Sequence, residues 1–296
     1  MPTQATDPNP APRPQVMGFF HEPTNTISYL VVDPTTAKAV IIDPVLDFDP
    51  AAAQTSTQSA DLLLAEVDKH HLDIIFILET HIHADHLSAA HYLKSKLTAP
   101  VAVGGQIPSV QKVFEPIYHF PYPFIPDGSQ FDKLFKDGET FAIGALEAKV
   151  IATPGHTPAC VSYAIGDALF VGDTLFMPDY GTARCDFPGG NPETLYDSIE
   201  KILSLPDETR IFLCHDYPPA DRSPTWETTV AAQKSENIHI AGKTRSEFAA
   251  LRRERDDQLS MPTLILPSIQ LNMRAGEMPP AEDNGVSYLK IPLNRI

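Results

Sequence analysis

The chain has 296 residues, 43% of them hydrophobic and 20% charged, with a formal net charge of −16; that is enough apolar chain for one large domain or two small ones. So acidic a surface repels phosphate backbones, which argues against nucleic acid as a partner, and an anionic small substrate needs its own arginines or lysines. No run of about 18 apolar residues is present to span a membrane, and the three cysteines, Cys160, Cys185 and Cys214, cannot all pair, so free thiols in a reducing cytoplasm are expected.

Residues 1–15, MPTQATDPNPAPRPQ, carry five prolines and no charged-then-apolar signal pattern. A flexible arm is expected there, followed by a single domain over 16–296. NTISYLVVD and AKAVIIDP read as strands joined by a turn at DPTTA. Asp61 to His70 has helical apolar spacing, and DIIFILET is a near-continuous apolar run that suits a buried strand. LSAAHYLKSKL reads as the helix that follows. EAKVIAT is a strand ending at Pro154-Gly155-His156; VSYAI and ALFVG are paired strands, the second ending at Asp173. PETLYDSIEKILSL is an amphipathic helix opened by Asn191-Pro192, and RIFLC is a strand ending at His215. Helices are expected around Pro224–Asn237 and Arg245–Leu259. A proline-rich tail is expected to be irregular until a last strand, VSYLKIPLN. Strands and helices alternate without a glycine-rich phosphate loop, which argues against a nucleotide-binding α/β fold.

The histidines fall at strand ends. THIHADH places His81, His83, Asp85 and His86 after one strand, and His156, Asp173 and His215 follow three others. Strand ends on one rim of a sheet can converge on one point, with short loops free to deliver ligands. His81 and His83, two apart in extended chain, project to the same side, and Asp85 stands where it can cap a helix if it does not bind metal. Imidazole suits zinc, iron and similar cations, and a carboxylate can bridge two of them. Seven imidazole and carboxylate groups point to an open catalytic centre, because closed structural zinc sites are four-coordinate and rich in cysteine. His21, His70, His71, His91, His119 and His239 lack ligand spacing and are read as surface or core residues, with His21, after Phe19 and Phe20, the one that could approach the pocket.

At THIHADH, TPGHT, GDTLF and CHDY, in that order, the chain resembles the metallo-β-lactamase superfamily from about residue 16 onward. The resemblance implies an α/β architecture, an αββα sandwich with the metal site at one edge between two sheets. GDTLFMPDYGTARCDFPGG, with Arg184-Cys185-Asp186-Phe187, and the tail LPSIQLNMRAGEMPPAEDNGVSYLKIPLN are similar to the persulfide dioxygenase (sulfur dioxygenase) branch, which is related to glyoxalase II. That branch binds one Fe(II) and oxidises glutathione persulfide with O2 to sulfite and glutathione. Carried over by motif, the iron ligands are His81, His156 and Asp173, the two-histidine, one-carboxylate triad of non-haem iron. His83, Asp85, His86 and His215 then serve as outer groups that tune the metal, or as ligands of a second metal, zinc or another, in a hydrolase.

Glutathione is anionic, and Arg184 is the first choice for its carboxylate because a guanidinium grips carboxylates through paired hydrogen bonds; the plainer alternative is a loop ion pair to Asp186. Tyr217 and Arg274 are further candidates for substrate contact. Cys185, beside Arg184, is read as a small loop residue, and Cys160 and Cys214 as buried apolar positions. The main rival activity is glyoxalase II-like hydrolysis of S-acylglutathione thioesters at a binuclear site. A small-ester hydrolase ranks third, and an inactive metal-binding protein would show broken ligand motifs, of which there are none. The family often forms dimers, so a homodimer is compatible with the resemblance.

Overall fold

The computed structural model describes residues 13–120 and 122–295, so most of the expected N-terminal arm lies outside the described residues. Six strands form one sheet in the order β1 (Gln15–His21), β2 (Thr26–Val32), β3 (Lys38–Ile42), β6 (Asp73–Leu78), β8 (Val101–Gly104), β9 (Lys133–Phe135). A second six-stranded sheet runs β10 (Thr140–Ile143), β11 (Leu146–Ala152), β12 (Val161–Ile165), β13 (Ala168–Phe170), β14 (Arg210–Phe212), β15 (Glu227–Thr229). A small sheet joins β5 (Gln54–Ser56), β4 (Val45–Asp49) and β7 (Leu87–Ser88). The helices are α1 (Gln58–Lys69), α2 (Ala90–Leu97), α3 (Ile107–Tyr118), α4 (Pro192–Leu203), α5 (Val230–Glu236), α6 (Arg245–Asp256) and α7 (Ile265–Asn272).

Strand alternation builds the layers. Tyr29 and Val31 of β2, with Val40 and Ile42 of β3, meet Val150, Tyr163 and Phe170 of the facing sheet in one buried cluster. The intervening Leu30, Val32 and Ile41 point outward to a second cluster with Leu63, Leu93 and Phe114 of α1, α2 and α3. On the far face of the other sheet, Leu169 and Ile211 pack with Leu195, Ile199 and Phe248 of α4 and α6. Each central strand is thus apolar on both sides, which is why DIIFILET carries no alternation. The expected αββα sandwich is the observed one.

Several boundaries differ from the sequence reading for identifiable reasons. The helix expected from Leu87 begins only at Ala90, because Leu87–Ser88 pairs with β4. The helix expected around Pro224–Asn237 shortens to Val230–Glu236: Glu227–Thr229 completes the sheet edge beside β14, and the Thr229 side chain caps the helix. VSYLKIPLN is not a strand. Its backbone bonds are spent on a side chain, since Gln270 donates to Lys290 O and accepts from Lys290 N, both at 2.8 Å. Conversely, α7 forms inside the stretch expected to be irregular. No helix among the described residues is long and apolar enough to cross a membrane.

Candidate metal centre

Four strands deliver the chemistry-bearing groups to one edge between the sheets. β6 ends at Leu78 and passes into the loop bearing His81, His83, Asp85 and His86; β11, β13 and β14 run out into His156, Asp173 and His215. One glycine makes the approach of the second element possible. Gly155, before His156, has φ +142°, and a Cβ there would stand 2.3 Å from Leu195 Cα of α4, so helix and ligand turn touch only because no side chain intervenes.

The donors fall into two sets. His81, His156 and Asp173 offer three atoms within 4.8 Å of one another, and so do His83, Asp85, His86 and His215 with four. His81 Nε2 and His156 Nε2 stand 3.8 and 3.6 Å from Asp173 Oδ2, while Asp173 Oδ1 is 3.3 Å from His215 Nε2. The two oxygens of Asp173 therefore face different sets. Asp85 Oδ2 lies 3.2 Å from His215 Nε2.

The hydrogen bonds leave these atoms free. His156 Nδ1 donates to Arg184 O at 2.7 Å, His83 Nε2 to Asp43 Oδ1 at 3.0 Å, and His81 Nδ1 to Thr80 Oγ1 at 3.0 Å. Thr26 Oγ1 is 3.3 Å from both His86 Nδ1 and His215 Nδ1. Each ring is tied at one nitrogen, and the other turns inward. His81 Nε2, His83 Nδ1, His86 Nε2, His215 Nε2, Asp85 Oδ2 and Asp173 Oδ1 are buried without hydrogen-bond partners. Orphaned buried polar atoms are costly, and six converging on one place fit a bound cation. The residues present therefore fit a metal, with the second nitrogen of each imidazole oriented by an outer partner.

The protonation states of His81 and His86 agree. Burial, reinforced by the neighbouring imidazoles, drives His81 well below its usual value and His86 down to about 4, so both are neutral and able to coordinate. Burial would likewise lower His83, but the Asp43 and Glu79 carboxylates outweigh it and raise that imidazole. Burial would raise Asp85, yet the His215 and His86 rings hold it well below the usual carboxylate range.

A cavity of about 890 Å³ opens onto the centre, with His156, Asp173, Asp85 and His86 in its wall. Tyr217 lines it too, stacked on Tyr180 at 4.7 Å and nearly parallel to His215. Burial pushes its phenol well above the usual value, so it stays a neutral donor. Arg184 also lines the cavity, but its guanidinium is engaged: Nε donates to Asp186 Oδ1 at 2.6 Å and Nη1 to Ser260 O at 2.7 Å. The structure does not bring Arg274 to the cavity; it pairs with Glu277 at 3.0 Å and lies over the Tyr122 ring. Cys185 is buried, with its backbone N–H on Asp256 and its thiol raised by burial, and Cys160 and Cys214 are buried as well.

Sequence reading passed over several cavity residues. Arg252 is fully buried on α6 and paired with Asp256. Arg255, one turn on, lines the cavity over the Tyr180 ring at 5.7 Å and makes no ion pair among the described residues. His21, by contrast, is open to the pocket on its sequence position and does line the cavity, bonded to Thr24 Oγ1 at 2.7 Å. The spacing Arg252-x-x-Arg255 on one helix face was the available signal.

Comparison with known proteins agrees with this geometry. Residues 22–215 match the family described as Metallo-beta-lactamase superfamily. A Dictyostelium discoideum protein named Glyoxylase B2 is 55% identical over 90% of this chain and 92% of its own. The human mitochondrial persulfide dioxygenase ETHE1 is 31% identical, covering 90% of this chain and 91% of its own. The crystal structure of ETHE1 from Myxococcus xanthus superposes with a TM-score of 0.72 at 31% identity, covering 89% of this chain and all of that one. A sandwich of two sheets between helices, seven ligand-type side chains at four strand ends and these likenesses lead to one assignment: the chain belongs to the metallo-beta-lactamase superfamily.

Proposed function

We propose that this protein is a non-haem Fe(II) persulfide dioxygenase acting on glutathione persulfide. The observation that carries the reading is the three-donor set of two imidazoles and one carboxylate. His156 and Asp173 line the cavity, and His81 is buried behind them. Such a triad leaves coordination positions open on iron. The likeness to persulfide dioxygenases at 31% identity over nine-tenths of the chain supports the same reading. Bound iron would supply the electron path between the persulfide sulfur and O2. With one water, the outer sulfur leaves as sulfite and glutathione is released.

The chain's own residues do the rest. Arg184 O fixes the His156 tautomer through Nδ1, and Thr80 does the same for His81. Arg255, with no carboxylate partner, is the cation best placed for a glutathione carboxylate. Phe176, Tyr180 and Phe187 give the cavity an aromatic wall beside the reacting sulfur.

A second reading has its own observation. Asp173 turns its two oxygens to both donor sets, as a bridging carboxylate between two metals does, and a binuclear centre would generate a hydroxide nucleophile for thioester hydrolysis. The relative named Glyoxylase B2 supports that alternative. Oxygen uptake by Fe(II)-loaded protein given glutathione persulfide, with sulfite and metal content measured on the same sample, separates the two. The dioxygenase predicts rapid uptake, sulfite and one iron per chain. No uptake, two metals per chain and cleavage of S-lactoylglutathione would overturn it.

A further inference from the structure

We propose that Asn272, at the end of α7, is a positioning residue that holds the ligand loop in metal-binding shape. Its side chain spends every bond on that loop. Nδ2 donates to His83 O and to His86 O, both at 2.8 Å, and Oδ1 accepts from Ser88 N at 2.8 Å. Asn272 is 3% exposed, and 184 or more residues separate it from the atoms it binds. The loop from His83 to Ser88 carries three of the four donors in the second set.

The clamp closes on itself. Ser88 Oγ donates to Glu79, whose other carboxylate oxygen stands 3.3 Å from His83 Nε2. The chain Asn272–Ser88–Glu79–His83 thus returns to Asn272 through the His83 carbonyl. An amide suits this place because it offers two donors and an acceptor at once. Beyond α7, Gly276 has φ +80°, and a Cβ there would come within 2.6 Å of Ser88 O, so the tail runs directly against the same loop. The superfamily match ends at residue 215, and α7 lies wholly beyond it. The C-terminal tail is therefore part of this metal centre rather than an appendage.

The inference rests on the metal-centre reading, and Co(II) tests both. Asn272→Asp keeps the acceptor for Ser88 N but turns a carboxylate oxygen toward two carbonyls. The measurements are Co(II) affinity by competition with a chromophoric chelator, the visible spectrum of the Co(II) protein, and cooperative unfolding of the metal-free form. Expected is a 10- to 100-fold (roughly) weaker affinity and an altered spectrum, with unfolding still cooperative. Parent-like affinity and spectrum in the variant would overturn the clamp, whereas no Co(II) binding by the parent would overturn the metal reading beneath it. If the variant fails to fold, hydrogen exchange on the metal-free parent decides. A Ser88 amide as protected as those of β6 supports the clamp, and exchange at exposed-loop rates refutes it.

Discussion

Asp43 is the outer group whose loss should be felt most. Fully buried at the end of β3, it accepts from Thr80 N at 2.7 Å, Thr80 Oγ1 at 2.8 Å and His83 Nε2 at 3.0 Å. Burial works to raise its carboxyl, and the His83 imidazole and Thr80 donors outweigh that and lower it. Asp43→Asn preserves shape but removes the charge. Oδ1 can still receive Thr80 N–H and His83 Nε2–H as neutral bonds, each weaker by about 1 kcal/mol than to a carboxylate. The new amide faces Thr80 Oγ1, which must reverse and accept. Its own proton then turns toward His81 Nδ1, where a proton already sits. His81 either loses that bond or moves its proton to Nε2, where the lone pair is needed. We expect a loss of about 3 kcal/mol in urea unfolding of the metal-free protein, and metal affinity lowered roughly 10- to 100-fold by chelator competition. An Asn variant that binds metal within about threefold of the parent would refute the relay, since about 1.4 kcal/mol is a tenfold effect.

The cavity arginines should separate kinetically. Arg255→Gln should raise KM for glutathione persulfide, the substrate proposed above, about tenfold with kcat little changed, the value of one exposed charge-assisted bond. Arg184→Gln should instead lower metal occupancy and kcat, because its side chain holds Asp186 and Ser260 while its carbonyl fixes His156; a pure KM effect there would return the substrate seat to Arg184. Acid stability should depend on Asp33, which follows β2 at the turn into β3, away from the metal. Burial favours its neutral form, but donors at Ala145, Thr36 and Thr35 overcome this and hold the carboxyl at about 2, against 3.8 ordinarily. A depressed carboxylate contributes stability above its unfolded value and loses it as pH falls from about 4 toward 2. The gap in urea midpoint between the parent and Asp33→Asn should therefore be full at pH 5 and close near pH 2; a gap constant over that range would show that Asp33 is not the titrating group.

What was legible in the sequence is what local rules write. Buried strands announced themselves as unbroken apolar runs, and ligand-type side chains at their ends marked out the candidate metal centre, because strand ends and short loops obey only nearby sequence. Partners far apart in the chain were not legible. Thr228 and Thr229 lie in a stretch that reads as helix, yet they close a sheet edge supplied by β14. VSYLKIPLN has strand propensity but meets a glutamine side chain in place of a strand. Arg184 reads first as a substrate seat and second as the partner of Asp186, because at a spacing of two residues the sequence cannot say whether that pair closes. Arg255 looked like one of several charges on a helix until α6 was packed against the cavity. Asn272 is the extreme case. Nothing about LNMRAG signals a metal centre, since the groups it serves are backbone atoms of a loop that begins near residue 80. Ligands are chosen by residue type and so leave a pattern. Residues that hold a backbone in place need only reach it, so they leave none until the fold is known.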